Sequence, residues 1–285
     1  MILLDGKKVS SNLKDELKRK AEELKSKYNV TPKLSIVLVG ANPASLVYVK
    51  NKVKACEYTG ITPDLINVSE EISEEDLLNL VDKLNKDDSI HGIIVQLPLP
   101  KHINEQKVID AICKEKDVDG FGIENKGRLF CGLDSLHSAT PEGIITLLDA
   151  YNIPIQGKHA VVVGRSNIVG KPIAMLLLSK NATVTITHSK TTDLGSITKL
   201  ADISVWQRPN RYGICNVEMR GVKDGAIVID VGINRIEGKL YGDVDFENVA
   251  PKTSYITPVP GGVGPLTIAS LLKNTLIAYE RILNK

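Results

Sequence analysis

Short apolar runs alternate with longer amphipathic stretches through the first half of the chain. Apolar residues at helical spacing, with Leu13, Leu17 and Leu24 on one stripe, predict a surface helix over residues 10–28. The apolar runs are four to six residues long and rich in β-branched side chains, a pattern typical of buried strands. Strands that alternate with helices predict a parallel α/β sheet. The strands predicted in this half are residues 34–39, 65–68 and 92–96. After the first helix, two more helices are predicted at residues 44–59 and 74–87.

The alternation stops at residues 117–137, a glycine-containing stretch of little periodicity that we interpret as a linker or site-forming segment. A new helix is predicted from Thr140-Pro141-Glu142, with Thr140 as N-cap, Pro141 in the first turn and Glu142 near the positive end of the helix dipole. The same alternation then resumes and predicts a second doubly wound unit. Its strands are residues 160–163, 183–187 and 227–231, and its helices are 170–180 and the closing helix 265–283.

The expected fold is therefore α/β with two domains and a cleft between them. We expect an N-terminal parallel-sheet catalytic domain over residues 1–138 plus 265–285. We expect a C-terminal Rossmann-like domain over residues 139–264. In sheets of this kind ligands bind beyond the carboxyl ends of the strands, so the loops that follow the strands are the places to search for chemistry.

Composition narrows the possible functions. The chain has 285 residues, and 36 Lys plus Arg against 34 Asp plus Glu give a formal net charge of +2. So balanced a chain lacks the long-range field that attracts nucleic acid or an anionic membrane, and we expect neither as a partner. The apolar runs are too short to cross a bilayer, and the N-terminus lacks the pattern of a secretory signal. The four cysteines are too scattered for a zinc knuckle or a redox pair, so we expect no metal and a cytoplasmic location.

Residues 161–172, Val-Val-Val-Gly-Arg-Ser-Asn-Ile-Val-Gly-Lys-Pro, have the spacing of a strand–turn–helix that binds a phosphate. Gly164 ends the strand and Gly170 opens the helix, so backbone N–H groups between them can hold a phosphate against the helix dipole. Ser166 stands where the dinucleotide fingerprint has its middle glycine. An ordinary strand–turn–helix is the alternative interpretation.

The next predicted strand ends in Thr187-His188-Ser189-Lys190-Thr191, without the acidic residue that binds a free ribose 2′-OH. Hydroxyls, a lysine and the nearby Arg165 instead suit a 2′-phosphate, which favours NADP over NAD. The alternative is a polar loop with an incidental basic residue.

Residues 44–56 carry three lysines at alternate positions, which cannot share one face of a helix. At about 100° per residue, Tyr48, Lys52 and Cys56 fall on one stripe, and Lys50 and Lys54 fall on the opposite side. Lys52 would then lie alone on a small, half-apolar face, where desolvation favours the neutral amine. The alternative is that all three lysines are solvated.

Two further polar residues follow predicted elements in the first half. Gln96 ends the third strand and needs partners for both of its amide groups, so it could orient Lys52; a capped turn before Pro98 is the alternative. Asp119, in Lys116-Asp117-Val118-Asp119-Gly120, could accept two parallel N–H bonds from a planar 2-aminopyrimidinone edge. An Asx turn before Gly120 is the alternative there.

These segments together resemble the methylenetetrahydrofolate dehydrogenase/cyclohydrolase family, and the similarity extends over almost the whole chain. The motifs that carry the resemblance, in order, are Tyr48-Val49-x-x-Lys52-x-Lys54-Ala55, Val95-Gln96-Leu97-Pro98-Leu99-Pro100, Lys116-Asp117-Val118-Asp119-Gly120, Thr140-Pro141-x-Gly143, Gly164-Arg165-Ser166-x-x-Val169-Gly170-x-Pro172, His188-Ser189-Lys190-Thr191, Asp230-Val231-Gly232-Ile233-Asn234, Gly242-Asp243-Val244-Asp245 and Thr257-Pro258-Val259-Pro260-Gly261-Gly262-Val263-Gly264-Pro265.

The resemblance implies NADP-dependent oxidation of 5,10-methylenetetrahydrofolate and hydrolysis of the methenyl product to 10-formyltetrahydrofolate. It implies that Lys52 serves the hydrolysis as general base or its assistant, that Gln96 holds Lys52, and that Tyr48 stacks on the folate. Asp119 would bind the pterin amino edge. The cofactor residues would be Gly164, Arg165, Ser166, Gly170, Ser189 and Ile233, and the folate loop would contribute Pro258, Gly261 and Gly262. Members of the family are typically homodimers paired through the cofactor domains.

The chain departs from the family pattern at three places. Gly122-Ile123 replaces a His-Pro and Ser138-Ala139 replaces a Pro-Cys. In residues 204–222, Trp206 and two arginines replace the small residues that normally lie beside the cofactor. Two alternative functions stay open: a shikimate-type dehydrogenase, which uses the same two-domain plan, and a folate- or nucleotide-binding module without turnover.

Overall fold

A computed structural model describes residues 1–207 and 221–284. The chain divides into two compact units. We call the first the three-strand unit; it comprises Ser11–Ala139 and Ile268–Lys285. We call the second the six-strand unit; it comprises Met1–Ser10 and Thr140–Thr267.

The strands and helices that the sequence pattern predicts are all present, together with shorter elements that it does not predict. In chain order the strands are β1 Ile2–Leu3, β2 Lys33–Val39, β3 Thr62–Val68, β4 Gly92–Val95, β5 His159–Val163, β6 Thr183–Thr187, β7 Ile203–Trp206, β8 Ile227–Asp230, β9 Asn234–Ile236, β10 Lys239–Tyr241 and β11 Tyr255–Ile256. The helices are α1 Gly6–Tyr28, α2 Pro43–Thr59, α3 Glu74–Lys86, α4 Glu105–Ala111, α5 Ile123–Phe130, α6 Ala139–Ala150, α7 Gly170–Ser179, α8 Leu194–Thr198, α9 Phe246–Val249 and α10 Val263–Leu283, and a 3₁₀ turn spans Ala250–Lys252.

The three-strand unit is built on a parallel sheet of order β3-β2-β4. Side chains of β2 alternate between its two faces, as the period of two in a strand requires. Leu34, Ile36 and Leu38 pack on one side with residues of α1, α2 and α10. Val37 and Val39 pack on the other side with α3 and α4. Both faces of β2 are therefore buried, which explains its unbroken apolar sequence.

The six-strand unit contains a parallel sheet of order β1-β11-β8-β7-β5-β6 and a separate antiparallel hairpin of β9 and β10. Its strand β5 is buried except at His159, and Val161 and Val163 pack in a core with Trp206, Val228 and Ile256. The predicted α/β fold class, with a parallel sheet in each of two units, is confirmed.

Two sequence expectations differ from the structure. Residues 117–137 are not irregular throughout, because they contain α5. The prediction that Thr140 is the N-cap of its helix is wrong: α6 begins at Ala139, and the Thr140 hydroxyl shares a hydrogen bond of 3.0 Å with Thr267. Residues 1–10, which the sequence analysis assigns to the catalytic half, cluster with the six-strand unit, since β1 pairs with β11.

Within residues 1–207 and 221–284, no helix combines the length and the apolar character needed to span a membrane.

Candidate active site

A lysine and a glutamine meet in the three-strand unit at the carboxyl end of β4. Gln96 directly follows that strand, and its backbone N–H donates to Val37 O at 2.9 Å. Its side-chain Nε2 donates to Leu97 O at 2.8 Å, and its Oε1 accepts from Lys52 Nζ at 3.1 Å. Both amide groups of Gln96 are therefore paired. The bond to Leu97 fixes the amide plane, so that the carbonyl oxygen points at the lysine.

The helix α2 sets Lys52 apart from its two neighbouring lysines. Lys50 and Lys54 are exposed, whereas Lys52 is half-buried. Val49 and Cys56 anchor the helix in the core, with 3% and 0% of their surface exposed. Tyr48, one turn before Lys52, is 49% exposed. This distribution agrees with the helical projection, and Lys52 is the lysine of the three that the fold orients.

Asp119 lies within electrostatic reach of Lys52. Desolvation raises the pKa of the Asp119 carboxyl, and the positive charge of Lys52 acts in the opposite direction. Cys56, one turn after Lys52 on α2, has no comparable role, because burial raises the pKa of its thiol to about 12 and keeps the thiol protonated. The structure thus pairs Lys52 with Gln96 and places Asp119 where the charge of Lys52 acts on its carboxyl.

Asp117, which the sequence analysis did not single out, shapes the turn that carries Asp119. It is 1% exposed, and its carboxylate accepts from Phe121 N at 3.2 Å, Gly122 N at 2.9 Å and Asn125 Nδ2 at 3.0 Å. The Gly120 amide donates to Asp117 O. The turn-forming role considered for Asp119 therefore belongs to Asp117. The glycine three residues later, Gly120, is the signal that the sequence offers.

Lys116 anchors the other end of this turn. It is 5% exposed, and its Nζ donates to three backbone carbonyls, Leu84 O at 3.2 Å, Asn85 O at 2.8 Å and Asp87 O at 2.8 Å. All three ammonium hydrogens thereby pair with the carbonyls at the end of α3. Lys116 is a structural residue that ties the end of α3 to the Asp119 turn.

In the six-strand unit, the loop between β5 and α7 forms a tight turn. A Cβ at Gly170 would lie 2.5 Å from Gly164 O, so only glycine fits there. Ser166 Oγ accepts from Val169 N and Gly170 N, each at 3.1 Å. The expectation that backbone N–H groups of this turn bind phosphate needs correction at these two amides, because a serine in place of the middle glycine already occupies them.

Arg165 and Ser189 occupy equivalent places on neighbouring strands. Val163 pairs with Thr187 in the parallel register of β5 and β6, and each of the two side chains lies two residues beyond that pair. Both are exposed at the carboxyl edge of the sheet. The donor set there, a guanidinium and a hydroxyl with Lys190 alongside, has the chemistry that binds a phosphate group.

Two more predicted site segments belong to the six-strand unit. One carries Ile233, and the other is the predicted folate loop. Ile233 is 53% exposed, and its Cδ1 would be 3.8 Å from a Cβ at Gly264. The loop that contains Pro258, Gly261 and Gly262 follows β11 directly, and Gly261 O accepts from Lys7 N at 3.1 Å. The first residues of the chain thus hold this loop in place.

Trp206, the unusual residue of segment 204–222, is part of the core. Its side chain is 1% exposed, and Nε1 donates to Ser204 Oγ at 3.0 Å. Residues 208–220 of that segment, which include Arg208 and Arg211, lie outside the described residues.

The fold and these side chains define an α/β protein with a dinucleotide-type sheet in one unit and an oriented lysine in the other. Two family models match the chain. The catalytic domain of tetrahydrofolate dehydrogenase/cyclohydrolase matches residues 4–119, and the NAD(P)-binding domain matches residues 138–283. The chain belongs to the tetrahydrofolate dehydrogenase/cyclohydrolase family, so the predicted family is confirmed, and the second half is the predicted nicotinamide-dinucleotide domain.

Full-length relatives agree with this assignment. The chain is 54% identical over 279 residues to the bifunctional protein FolD of Oceanobacillus iheyensis, covering 98% of this chain and 96% of the relative. The crystal structure of bifunctional FolD from Campylobacter jejuni superposes with a TM-score of 0.95 at 50% identity over 99% of both chains. The Trypanosoma brucei enzyme, complexed with NADP cofactor and inhibitor, superposes with a TM-score of 0.91 at 35% identity, covering 99% of this chain and 98% of that one.

Proposed function

We propose that this chain oxidises 5,10-methylenetetrahydrofolate in an NADP-dependent reaction and hydrolyses the 5,10-methenyl product to 10-formyltetrahydrofolate. The observation that carries the proposal is the hydrogen bond of 3.1 Å between Lys52 and Gln96, within reach of Asp119, in a member of this family. A shikimate-type dehydrogenase and a non-catalytic module are not favoured, because the models for both domains of the folate family match this chain.

The oxidation removes a hydride from the one-carbon bridge between N5 and N10 of the folate and leaves a methenyl cation. NADP, when bound, supplies the hydride acceptor. We assign its 2′-phosphate to Arg165 and Ser189, since the end of β6 offers hydroxyls and cations and lacks the carboxylate that would bind a free 2′-OH. Gly164, Ser166 and Gly170 shape the turn at the pyrophosphate, and Ile233 lies on the nicotinamide side.

The hydrolysis adds water to the methenyl carbon, breaks its bond to N5 and releases one proton. Lys52 in its neutral form takes a proton from the attacking water or steers it. A protonated ammonium would repel the cationic carbon and could not accept that proton. Gln96 Oε1 accepts a hydrogen from Nζ and thereby turns the nitrogen lone pair to a defined direction.

The remaining residues position the folate. The Asp119 carboxylate can accept two parallel N–H bonds from the amino edge of the pterin, an arrangement that fixes the ring in its plane. Tyr48, which is half-exposed, can stack its ring on the folate. Pro258, Gly261 and Gly262 supply a loop that is held in place by the N-terminal residues.

We also propose a homodimer paired through the nucleotide-binding domains and a cytoplasmic location. The dimer rests on the family resemblance, and the location rests on the scattered cysteines.

A spectrophotometric assay tests the function. The purified protein is mixed with 5,10-methylenetetrahydrofolate and either NADP or NAD, and reduced nicotinamide is followed; decay of the methenyl absorbance is followed separately. We expect faster reduction of NADP than of NAD and faster methenyl decay than in buffer. Shikimate serves as the control substrate. Reduction of NADP with shikimate, or no reduction with the folate, would contradict the proposal.

A further inference from the structure

A buried carboxylate in the six-strand unit joins the segment that carries Ile233 to the loop that carries Pro258, Gly261 and Gly262. Asp230 ends β8 and is 4% exposed. Its Oδ1 accepts from Gly232 N and Asp243 N, and its Oδ2 accepts from Val244 N, each at 2.9 Å. One side chain therefore holds both ends of the hairpin segment, residues 231–244.

The backbone of Asp230 is bound on the other side by Thr257. Asp230 N donates to Thr257 Oγ1 at 2.7 Å, and the same hydroxyl faces Asp230 O at 3.4 Å. Thr257 is 1% exposed and directly precedes Pro258. A Cβ at Gly262 would lie 2.7 Å from Thr257 Cβ, so the folate loop packs on this threonine.

The segment around Asp230 is built to receive the carboxylate. A Cβ at Gly242 would lie 1.9 Å from Asp230 Oδ2, a position that only a glycine leaves open. Asn234 Nδ2 donates to Gly242 O at 3.1 Å and to Asp243 Oδ1 at 3.0 Å, which closes the hairpin across its base. A buried carboxylate that accepts three backbone N–H bonds is costly to remove, because all three donors would lose their partner.

We propose that Asp230 is a positioning residue for hydride transfer: with Thr257 it sets the place of Ile233 relative to the folate loop. The inference rests on the proposed function, in which Ile233 faces the nicotinamide and the loop faces the folate. Asp230 touches neither ligand. Hydride transfer is sensitive to such placement, since an error of about 1 Å in the reacting geometry can reduce the rate about a hundredfold.

The test compares D230N with D245N. Asn keeps the size of Asp230 but turns an N–H group toward backbone N–H donors. Asp245 caps α9 by accepting from Asn248 N and also accepts from Asn248 Nδ2, and Asn serves equally well as an N-cap. For D230N we expect dehydrogenase kcat to fall about ten- to a hundredfold. The dissociation constant for NADP should change by less than about threefold, because Arg165 and Ser189 are untouched. D245N should match the wild type in both.

A second pair of variants covers the case in which D230N fails to fold. T257V removes the hydroxyl at nearly constant shape, and T257S retains it. T257V should lower dehydrogenase kcat, and T257S should restore most of it. In the protein without ligands, amide hydrogen exchange at Gly232, Asp243 and Val244 should accelerate in D230N and stay unchanged in D245N.

The outcomes separate the two proposals. An inactive wild type overturns the proposed function and this inference with it. An active wild type with D230N and T257V at wild-type kcat overturns the inference alone. A parallel loss of NADP affinity and kcat in D230N also overturns the inference, because a general structural role predicts that result. An equal loss of kcat in T257S and T257V overturns it for the same reason.

Discussion

His91 gives the three-strand unit a marked sensitivity to acid. The imidazole is fully buried directly before β4, the strand that ends at Gln96, and it packs edge-on against Tyr279 with ring centroids 4.7 Å apart. Its Nδ1 accepts from Lys33 N at 3.1 Å, and within the described residues Nε2 has no hydrogen-bond partner. Burial, together with the charges of Lys116 and Lys33, lowers the pKa of His91 from 6.5 to about 4, against a smaller raising effect of Asp87.

The size of the effect follows from linkage. In the unfolded chain the imidazole takes up a proton near pH 6.5, but in the folded protein only near pH 4. The unfolded state therefore binds more protons between these values, and the free energy of unfolding falls as pH falls through this window. With about 1.4 kcal/mol for each pKa unit, we expect a loss of about 1 kcal/mol from about pH 7 to pH 5.5 and about 2 kcal/mol by about pH 4.5.

Urea unfolding followed by circular dichroism at several pH values measures this loss. H91N removes the titrating group but retains an acceptor for Lys33 N, so its unfolding free energy should depend less on pH by the amounts given above. H102N is the matched control, because His102 is an exposed histidine in the same unit. Equal pH dependence in H91N and the wild type would refute the reasoning, whatever their stabilities at neutral pH.

Three further substitutions test other contacts. Q96L removes the acceptor for Lys52 Nζ and should slow methenyl hydrolysis about ten- to a hundredfold with unchanged NADP affinity. An unchanged rate of hydrolysis would show that Gln96 has no role in it. R165A should raise KM for NADP at least about tenfold and leave KM for NAD nearly unchanged, and equal effects on both would exclude a 2′-phosphate contact. D117A leaves three buried N–H donors unpaired and should cost at least about 3 kcal/mol in urea unfolding, whereas a loss below about 1 kcal/mol would contradict its anchoring role.

The sequence pattern predicts the main elements because burial imposes a clear period on them. The run at residues 34–39 is apolar at nearly every position since β2 is covered on both faces, and strand 183–187 was predicted at its observed bounds. Short elements escape the same reasoning. The strands β1 and β11 have two residues each, and their pairing joins distant parts of the chain. Local periodicity does not predict that pairing, which places residues 1–10 in the six-strand unit.

Candidate site residues were predictable where one side chain needed an unusual environment. Helical projection separated Lys52 from Lys50 and Lys54, and the need of Gln96 for two partners matched its observed bonds. Networks of buried carboxylates with backbone amides were not predictable. Asp117 accepts from two backbone amides and one side-chain amide, and Asp230 accepts from three backbone amides. In both cases the fold of a loop brings the donors near the carboxylate. The roles assigned to the site residues stay predictions until they are measured.

We propose that one oriented amine directs the hydrolysis, and a comparison of three lysine variants checks this role. K52A, K50A and K54A each remove one lysine side chain from the same helix, but of these three lysines Lys52 is the one hydrogen-bonded to Gln96. We expect K52A to abolish methenyltetrahydrofolate hydrolysis and to bind NADP normally, while K50A and K54A hydrolyse at the wild-type rate. Hydrolysis by K52A at the wild-type rate would refute the proposed role of Lys52.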